Sequence, residues 1–358
     1  MDELRNDFPP RFATALDYDF PADAAGRVTL LATEEPSSRG LRALRADVVR
    51  LVRVLRAART HPALLLESKG GWLYPDVVAA AVLGLLAPRR RPKAVLMGEM
   101  WEPDGGLAGW LERRLLRLAD RAIDLYAVQS SEELSAFPRL WEVDPHKLRL
   151  NPHFYHFDDV EQLEAETTDG AFVFAGGDSL RSYDPLVEAA RRVPQLPVKA
   201  RTRLLDGRHD LPPNVQAGRV ARARFFDEMR AAKAVVVALK PGLSRAAGQQ
   251  TFLNAMFLGK PTIVADGFGV RDHITHGVDG WIADGSVEGY ATALRWAADD
   301  ANTAARARMG AAARATARRF HFDAHARRLV HLVAECLRAD ARADAGIPAS
   351  PRARPARG

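Results

Sequence analysis

Two stretches of this 358-residue chain set anion-seeking groups directly after an apolar run. In one, Ala234–Leu239 leads into Lys240-Pro241-Gly242-Leu243-Ser244-Arg245-Ala246-Ala247-Gly248, and a helical pattern then begins Gln249-Gln250-Thr251. The small residues let backbone approach a ligand closely. The helix start adds unpaired N–H groups and the positive end of a dipole, which together form an anion site. Lys240 and Arg245 contribute charge, Gln249, Gln250 and Thr251 contribute donors, and Asn254 follows one turn on at the Gln250 + 4 position. A polar first turn that merely caps its own helix has the same composition. In the other stretch, Ala171–Ala175 ends in Gly176-Gly177-Asp178-Ser179-Leu180-Arg181 before a further helix. The glycine pair permits a tight turn under a ligand, and the forked guanidinium of Arg181 matches a phosphate. The two elements together, both after strands, point to a phosphate-bearing ligand more strongly than either alone.

Other chemistries lack their residues. Gly267-Phe268-Gly269-Val270-Arg271-Asp272 misses the third glycine of a dinucleotide fingerprint, and Gly259-Lys260 runs into Pro261 with no phosphate loop upstream. There is no G-x-S-x-G elbow and no H-E-x-x-H motif. His153 and His156 are three apart but lie in the loop entering the acidic segment, and no histidine pairs with acids at metal-ligand spacing on one helix face, so no metal site is expected. The single cysteine, Cys336, excludes a disulfide framework.

The elements that must position these groups alternate between short apolar runs and helical patterns, as in parallel α/β architecture. Strands are expected at Val28–Ala32, Ala63–Glu67, Ala94–Gly98, Leu125–Gln129 and Lys147–Leu150, then at Ala171–Ala175, Val198–Arg201, Asn214–Ala217, Ala234–Leu239 and Thr262–Ala265. Helices are expected near Leu41–Ala58, Pro75–Ala87, Leu107–Ile123 and Ser131–Phe137 in the first half. In the second half they fall near Asp184–Arg192, Phe225–Ala232, Gln249–Leu258, Val287–Ala298, Ala304–Arg319 and Asp323–Arg338. Residues 1–155 are read as an N-terminal Rossmann-like domain, the acidic segment 156–170 as a linker and 171–320 as a second Rossmann-like domain. A C-terminal helix at 321–340 that crosses back to the first domain, and a disordered tail at 341–358, complete the expected plan. Such a chain is α/β, with two Rossmann-like domains facing a cleft and ligands beyond the carboxyl ends of the strands.

Composition bounds the partners. Lys+Arg 51 against Asp+Glu 45 gives a net charge of +6. Arg352, Arg354 and Arg357 of the tail supply half of it, so the body is nearly neutral and the global charge argues little for a polyanion. No basic stripe interleaved with aromatics marks a nucleic-acid binder. The start MDELRND lacks the apolar core of a signal peptide, and the longest apolar run, Val77–Ala87, is too short to cross a bilayer, so a cytoplasmic protein is expected. Within Leu41–Ala58 an apolar stripe (Leu41, Leu44, Val48, Leu51, Leu55) lies beside Arg42, Arg45, Arg53 and Arg56. Such a helix either packs on a core with a solvated basic face, the commoner case, or makes peripheral contact with an anionic membrane.

The second half also carries a resemblance. AGGDSLRSYDPLVEAARRVP and RAAGQQTFLNAMFLGKPTIVADGFGVRDHITHGVDGWIADG resemble the nucleotide-sugar-binding domain of GT-B fold glycosyltransferases, in particular the retaining, glycogen-synthase-like group 1 superfamily. Ala127-Val128-Gln129-Ser130-Ser131-Glu132 and Leu150-Asn151-Pro152-His153 resemble the family's segments more faintly. The resemblance implies a metal-independent transferase without cofactor, moving a sugar from a nucleotide-diphosphate sugar to an acceptor such as a polysaccharide, lipid-linked or small molecule. Gly176, Gly177 and Arg181 then fall at the diphosphate, Gly248, Gln249, Gln250 and Thr251 at the sugar and phosphate loop, Asn254 at the ribose and Val220 beside the nucleobase, with Lys240 and Arg245 neutralising the leaving group. The family's pair of glutamates, separated by seven residues, is replaced here by Ala246 and Asn254. A catalytically silent GT-B-like binding or activator protein is the alternative that this departure raises. On the acceptor side, Lys69 and Trp72 in ESKGGW and Glu99, Trp101 and Glu102 in GEMWE follow strand ends. Sugars stack on tryptophan, and Glu99 or Glu102 suits a catalytic base; edge-sealing tryptophans with solvated acids have the same composition.

Overall fold

The computed structural model describes residues 11–31, 40–68, 74–98, 102, 105–157 and 170–344. The chain divides into two compact units: Met1–Val128 with Leu134–Asn151 and Ala326–Gly358, and Gln129–Glu133 with Pro152–His325.

In the first unit, six parallel strands are ordered β2-β1-β3-β4-β5-β6. They are β1 (Phe12–Thr14), β2 (Val28–Leu30), β3 (Ala63–Glu67), β4 (Lys93–Met97), β5 (Leu125–Val128) and β6 (Leu148–Leu150). A short helix, α1 (Ala22–Ala25), separates β1 from β2. Period-two alternation sends Leu64, Leu66 and Leu96 to one face and Leu65, Val95 and Met97 to the other. Helices α2 (Leu41–Ala57), α3 (Pro75–Leu83) and α4 (Gly106–Asp120) cover the first face. Asp76, in the first turn of α3, ties this layer together. It is 1% exposed, accepts Arg50 Nε at 2.7 Å and Nη2 at 2.8 Å from α2, and accepts the Glu67 N–H of β3 at 2.9 Å. A further helix, α5 (Glu133–Trp141), precedes β6.

The second unit holds six parallel strands ordered β12-β11-β10-β7-β8-β9. These are β7 (Val173–Gly176), β8 (Val198–Arg201), β9 (Val215–Ala217), β10 (Ala234–Val237), β11 (Thr262–Ala265) and β12 (Trp281–Ala283). The flanking helices are α6 (Asp184–Arg191), α7 (Arg222–Arg230), α8 (Gln249–Phe257), α9 (Val287–Ala298) and α10 (Thr303–Ala317). The strand order reverses between β7 and β10, which pair directly with Val235 opposite Phe174. That reversal is the topological switch point, where an open parallel sheet leaves a crevice at its carboxyl edge.

The last helix, α11 (Phe322–Asp344), returns to the first unit: Leu329, Val330, Val333 and Cys336 join Phe12, Leu65 and Val95 in the core on the second face of that sheet. It runs past residue 340, so residues 341–344 are helix, not tail. Residues 345–358 and 158–169 lie outside the described residues. Sequence patterning misses β1 and β12. These three-residue strands are defined by their pairing with β2, β3 and β11.

Candidate functional site

The loops that follow β7 and β10 carry the two sequence-marked elements, and the switch point sets them side by side. They are joined as a short antiparallel bridge, Arg181 opposite Leu239. The Ser182 N–H donates to Ala238 O and the Lys240 N–H to Leu180 O, both at 2.9 Å. This pins the Arg181 backbone across the carboxyl edge of the sheet.

Two glycines make room for the Arg181 side chain. Gly177 has φ +103°, and a Cβ there would stand 3.3 Å from Arg181 Nη2. Gly248 has φ +73°, and its Cβ would stand 3.2 Å from Arg181 Nη1 and 2.9 Å from Leu239 Cδ2. The guanidinium therefore lies between the two loops where side chains are excluded. Nη1 donates to Ser179 O at 2.8 Å and Nη2 to Thr251 Oγ1 at 3.2 Å, while Nε is sealed from solvent with no partner. Among the described residues no carboxylate pairs with it. Asp178, which favours its charge from nearby, is taken up by Thr202 Oγ1 at 2.7 Å and the Arg203 N–H at 2.9 Å. Burial pulls the Arg181 pKa below its usual value against the opposing pull of Tyr183, Tyr290 and Asp178. An arginine remains protonated even so.

The surroundings of Arg181 are also short of partners. The Tyr290 hydroxyl is sealed without a hydrogen-bond partner, and burial raises its pKa. The Tyr183 hydroxyl, pushed up to about 12 by burial, donates to Gly177 O at 2.8 Å. Gly248 occupies the N-cap position of helix α8, so no side chain caps its first turn. Buried donors without partners are rare in folded proteins. Here a desolvated cation, a phenol and a bare helix N-terminus converge, a combination suited to holding an anion.

Beside it a cavity of ≈ 250 Å³ is lined by His156, Arg222, Phe225, Phe226, Met229, Gln250, Thr251 and Asn254. Asn254 is 4% exposed, and its Oδ1 accepts the His156 N–H at 2.8 Å. Thr251 therefore belongs both to the guanidinium site and to this cavity, whose other walls are aromatic and polar.

The remaining sequence candidates fall elsewhere. Gln249 is buried and turned away: its Nε2 donates to Gln129 O at 3.0 Å and lies 3.3 Å from His273 Nε2. Its amide holds α8 to the 129–133 segment, contrary to a ligand-facing place, because the first turn of α8 presents only Gln250 and Thr251 to the cavity. Gly176 is buried, and a Cβ there would stand 2.6 Å from the Phe225 ring, so tight packing accounts for it. Val220 is half-buried in the loop before α7 and does not line the cavity, where Arg222, Phe225 and Phe226 stand instead. Lys240 is exposed and borders a separate depression with Glu132, Asp266 and Arg271. Arg245 is half-buried, with Nη1 3.4 Å from Ala246 O. Lys69, Trp72, Glu99 and Trp101 lie outside the described residues, and Glu102 is half-buried.

One buried carboxylate escaped the sequence reading. Glu133 is 1% exposed; its Oε2 accepts the Gln129 and Ser130 N–H groups, and its Oε1 accepts the Ala246 N–H, each at 2.9 Å. The Ser130 Oγ accepts the Glu133 N–H in return at 3.2 Å. This is a capping box, legible as S-x-x-E in Ser130-Ser131-Glu132-Glu133, whose spare oxygen reaches the loop before α8. Burial pushes the Glu133 carboxyl up, and the three backbone donors restrain that rise.

No family model matches the sequence, and no curated protein matches it. Solved structures do. A glycosyltransferase from Rickettsia africae superposes with a TM-score of 0.59 at 10% identity, covering 92% of this chain and 90% of the other. Sucrose-phosphate synthase from Thermosynechococcus elongatus gives 0.61 at 16%, covering 92% and 88%. The Anabaena protein HepE, in complex with UDP-glucose, gives 0.57 at 17%, covering 91% of each chain. The chain has the GT-B fold. A GT-B chain carries two Rossmann-like domains, and both sheets found here are of that kind. At such identity the likeness establishes the fold, and the chemistry must come from the residues themselves. Among the described residues no cluster of metal-ligating side chains occurs.

Proposed function

We propose that the second unit binds a nucleotide-diphosphate sugar and that the protein is a metal-independent glycosyltransferase. The observation that carries this reading is Arg181, a guanidinium fixed at the switch point between two positive-φ glycines with a sealed, unpartnered Nε and no carboxylate. A diphosphate supplies the missing charge. In the reading, Arg181, the Tyr290 hydroxyl and the bare first turn of α8 receive it, and the cavity walled by Asn254, Phe225 and Phe226 receives the nucleoside. Loss of the sugar leaves negative charge on the diphosphate, and preorganised donors aimed at it lower the barrier to transfer. Gly177, Gly248, Gln250 and Thr251 shape this site, with Lys240 and Arg245 adding long-range charge. Glu102, together with Glu99, Trp101, Lys69 and Trp72, is assigned to the acceptor side.

UDP and UDP-glucose occur in the HepE complexes, so uridine nucleotides are the first to try. Calorimetric titration with UDP, GDP, ADP and their glucose conjugates tests the proposal. Saturable binding of one nucleotide series supports it, and no binding of any sinks it.

A second reading is a nucleotide-sugar-binding protein that transfers nothing. It is favoured by Ala246, whose side chain offers no carboxylate and whose N–H is already taken by Glu133. Hydrolysis or transfer of a bound donor, lost in Arg181→Ala, excludes this second reading.

A further inference from the structure

Among the described residues, most of the exposed large hydrophobic side chains lie on the helical layer of the first unit. Of the fifteen large hydrophobic side chains exposed among the described residues, ten lie between Leu41 and Leu118, in or beside α2, α3 and α4. Leu107 is 73% exposed, Trp110 48% and Leu111 53%, all in the first two turns of α4. Leu41 at the start of α2 is 86% exposed, and Leu85 just past α3 is 70% exposed. The apolar stripe expected on α2 is therefore only half used by the core: Leu51 and Leu55 pack inward, while Leu41 and Val48 face out. The three helices share one core cluster on one face of the sheet, with α3 touching both neighbours, so their outer sides form one layer.

Among the described residues of Leu41–Arg121 the exposed charge is basic, with Arg117 of α4 paired to Glu142 beyond this stretch. Arg42, Arg45, Arg56, Arg89, Arg90 and Arg114 are exposed. Among the described residues from Leu41 to Arg121, no aspartate or glutamate is exposed: Asp47 and Asp76 are buried, and Glu67, Glu102, Glu112 and Asp120 are half-buried. The Arg114 guanidinium lies 5.1 Å from the centre of the Trp110 ring, pairing a cation with an interfacial aromatic. A second copy of the chain would set arginine against arginine on such a face, so self-association is electrostatically opposed.

We propose that the α2–α3–α4 layer docks on a lipid bilayer bearing anionic headgroups. Leu107, Trp110 and Leu111 enter the headgroup–acyl boundary while the arginines extend to the phosphates, their stems covering apolar surface. Among the described residues no helix is long and apolar enough to span a membrane, so the contact is peripheral. The inference stands independently of donor binding, which uses the second unit.

Co-sedimentation with vesicles tests it. The protein should pellet with phosphatidylcholine vesicles containing phosphatidylglycerol and much less with phosphatidylcholine alone. High salt should release it, because each arginine near the surface contributes roughly a fivefold gain in partitioning. The triple variant Leu107→Glu, Trp110→Glu, Leu111→Glu should lose at least about tenfold in partitioning, with its thermal unfolding and nucleotide titration unchanged. Trp110→Phe should retain binding but lose the blue shift that vesicles induce in the tryptophan emission. Equal vesicle binding by wild type and triple variant overturns the proposal, as does failure of the wild type to bind anionic vesicles. Sedimentation velocity showing a dimer that the triple variant abolishes, without vesicle binding, assigns the face to a second copy and also overturns it.

Discussion

Arg181→Met separates a ligand-seeking guanidinium from a structural latch, because the two roles give opposite signs in two assays. In the unliganded protein the substitution removes the charge-assisted bonds to Ser179 O and Thr251 Oγ1, at about 1.5 kcal/mol each. It also removes a desolvated cation that has no counter-charge, a relief of comparable size. The backbone bridge to Leu239 needs no side chain and survives. The two effects nearly cancel, so unfolding stability should stay within about 1 kcal/mol of wild type. Binding behaves differently. Two charge-assisted bonds to a phosphate contribute about 1.5 kcal/mol or more each, so the variant should lose about 3 kcal/mol, roughly a hundredfold in Kd. Arg181→Lys keeps the charge without the fork and should fall between the two. Titration calorimetry with the nucleotide that binds wild type, run beside thermal unfolding without ligand, reads both quantities. A variant that binds nucleotide like wild type yet unfolds several degrees lower would refute the reasoning and make Arg181 a clasp between the two loops.

Three further outcomes rest on separate features. His273 is 3% exposed and burial pulls its pKa from 6.5 down to about 4, with Asp272 opposing. Its neutral form is the folded one, so its contribution is complete above pH 6.5 and is lost as pH falls toward 4, amounting to about 3 kcal/mol. Urea unfolding across that window should show the decline, and His273→Gln should flatten it. Glu133→Ala strips the acceptor from three buried N–H groups and should destabilise by about 3 kcal/mol or more in denaturant titration. An unchanged midpoint would mean that water satisfies those donors. Gly248→Ala forces a Cβ to 2.9 Å from Leu239 at positive φ, so it should cost about 1–3 kcal/mol of stability. Because the same Cβ crowds the Arg181 guanidinium, nucleotide titration should show weaker binding as well.

Much of the architecture is local. Runs such as Ala63–Glu67 and Thr262–Ala265 are apolar enough, and bounded clearly enough, to declare strands that the structure keeps unchanged. The alternation of strand with helix then dictates a parallel sheet in each half. The sequence by itself also determined that Gly177, Arg181 and Gly248 stand after strands, because loop composition follows from the apolar runs around it. What it left open is which strands are neighbours. The adjacency of β7 and β10 is a matter of topology, and it alone brings Arg181 against Thr251, seventy residues away. Side-chain direction was equally out of reach. Gln249 and Gln250 are adjacent and identical in type, yet helical rotation buries one against Gln129 and opens the other to the cavity. Glu133 shows the same limit: its capping box is written in Ser130–Glu133, but its bond to Ala246 spans 113 positions and exists only once the chain has folded. Periodicity fixes which residues share a face, whereas contact between distant segments depends on how those faces are packed, and that packing decided the site.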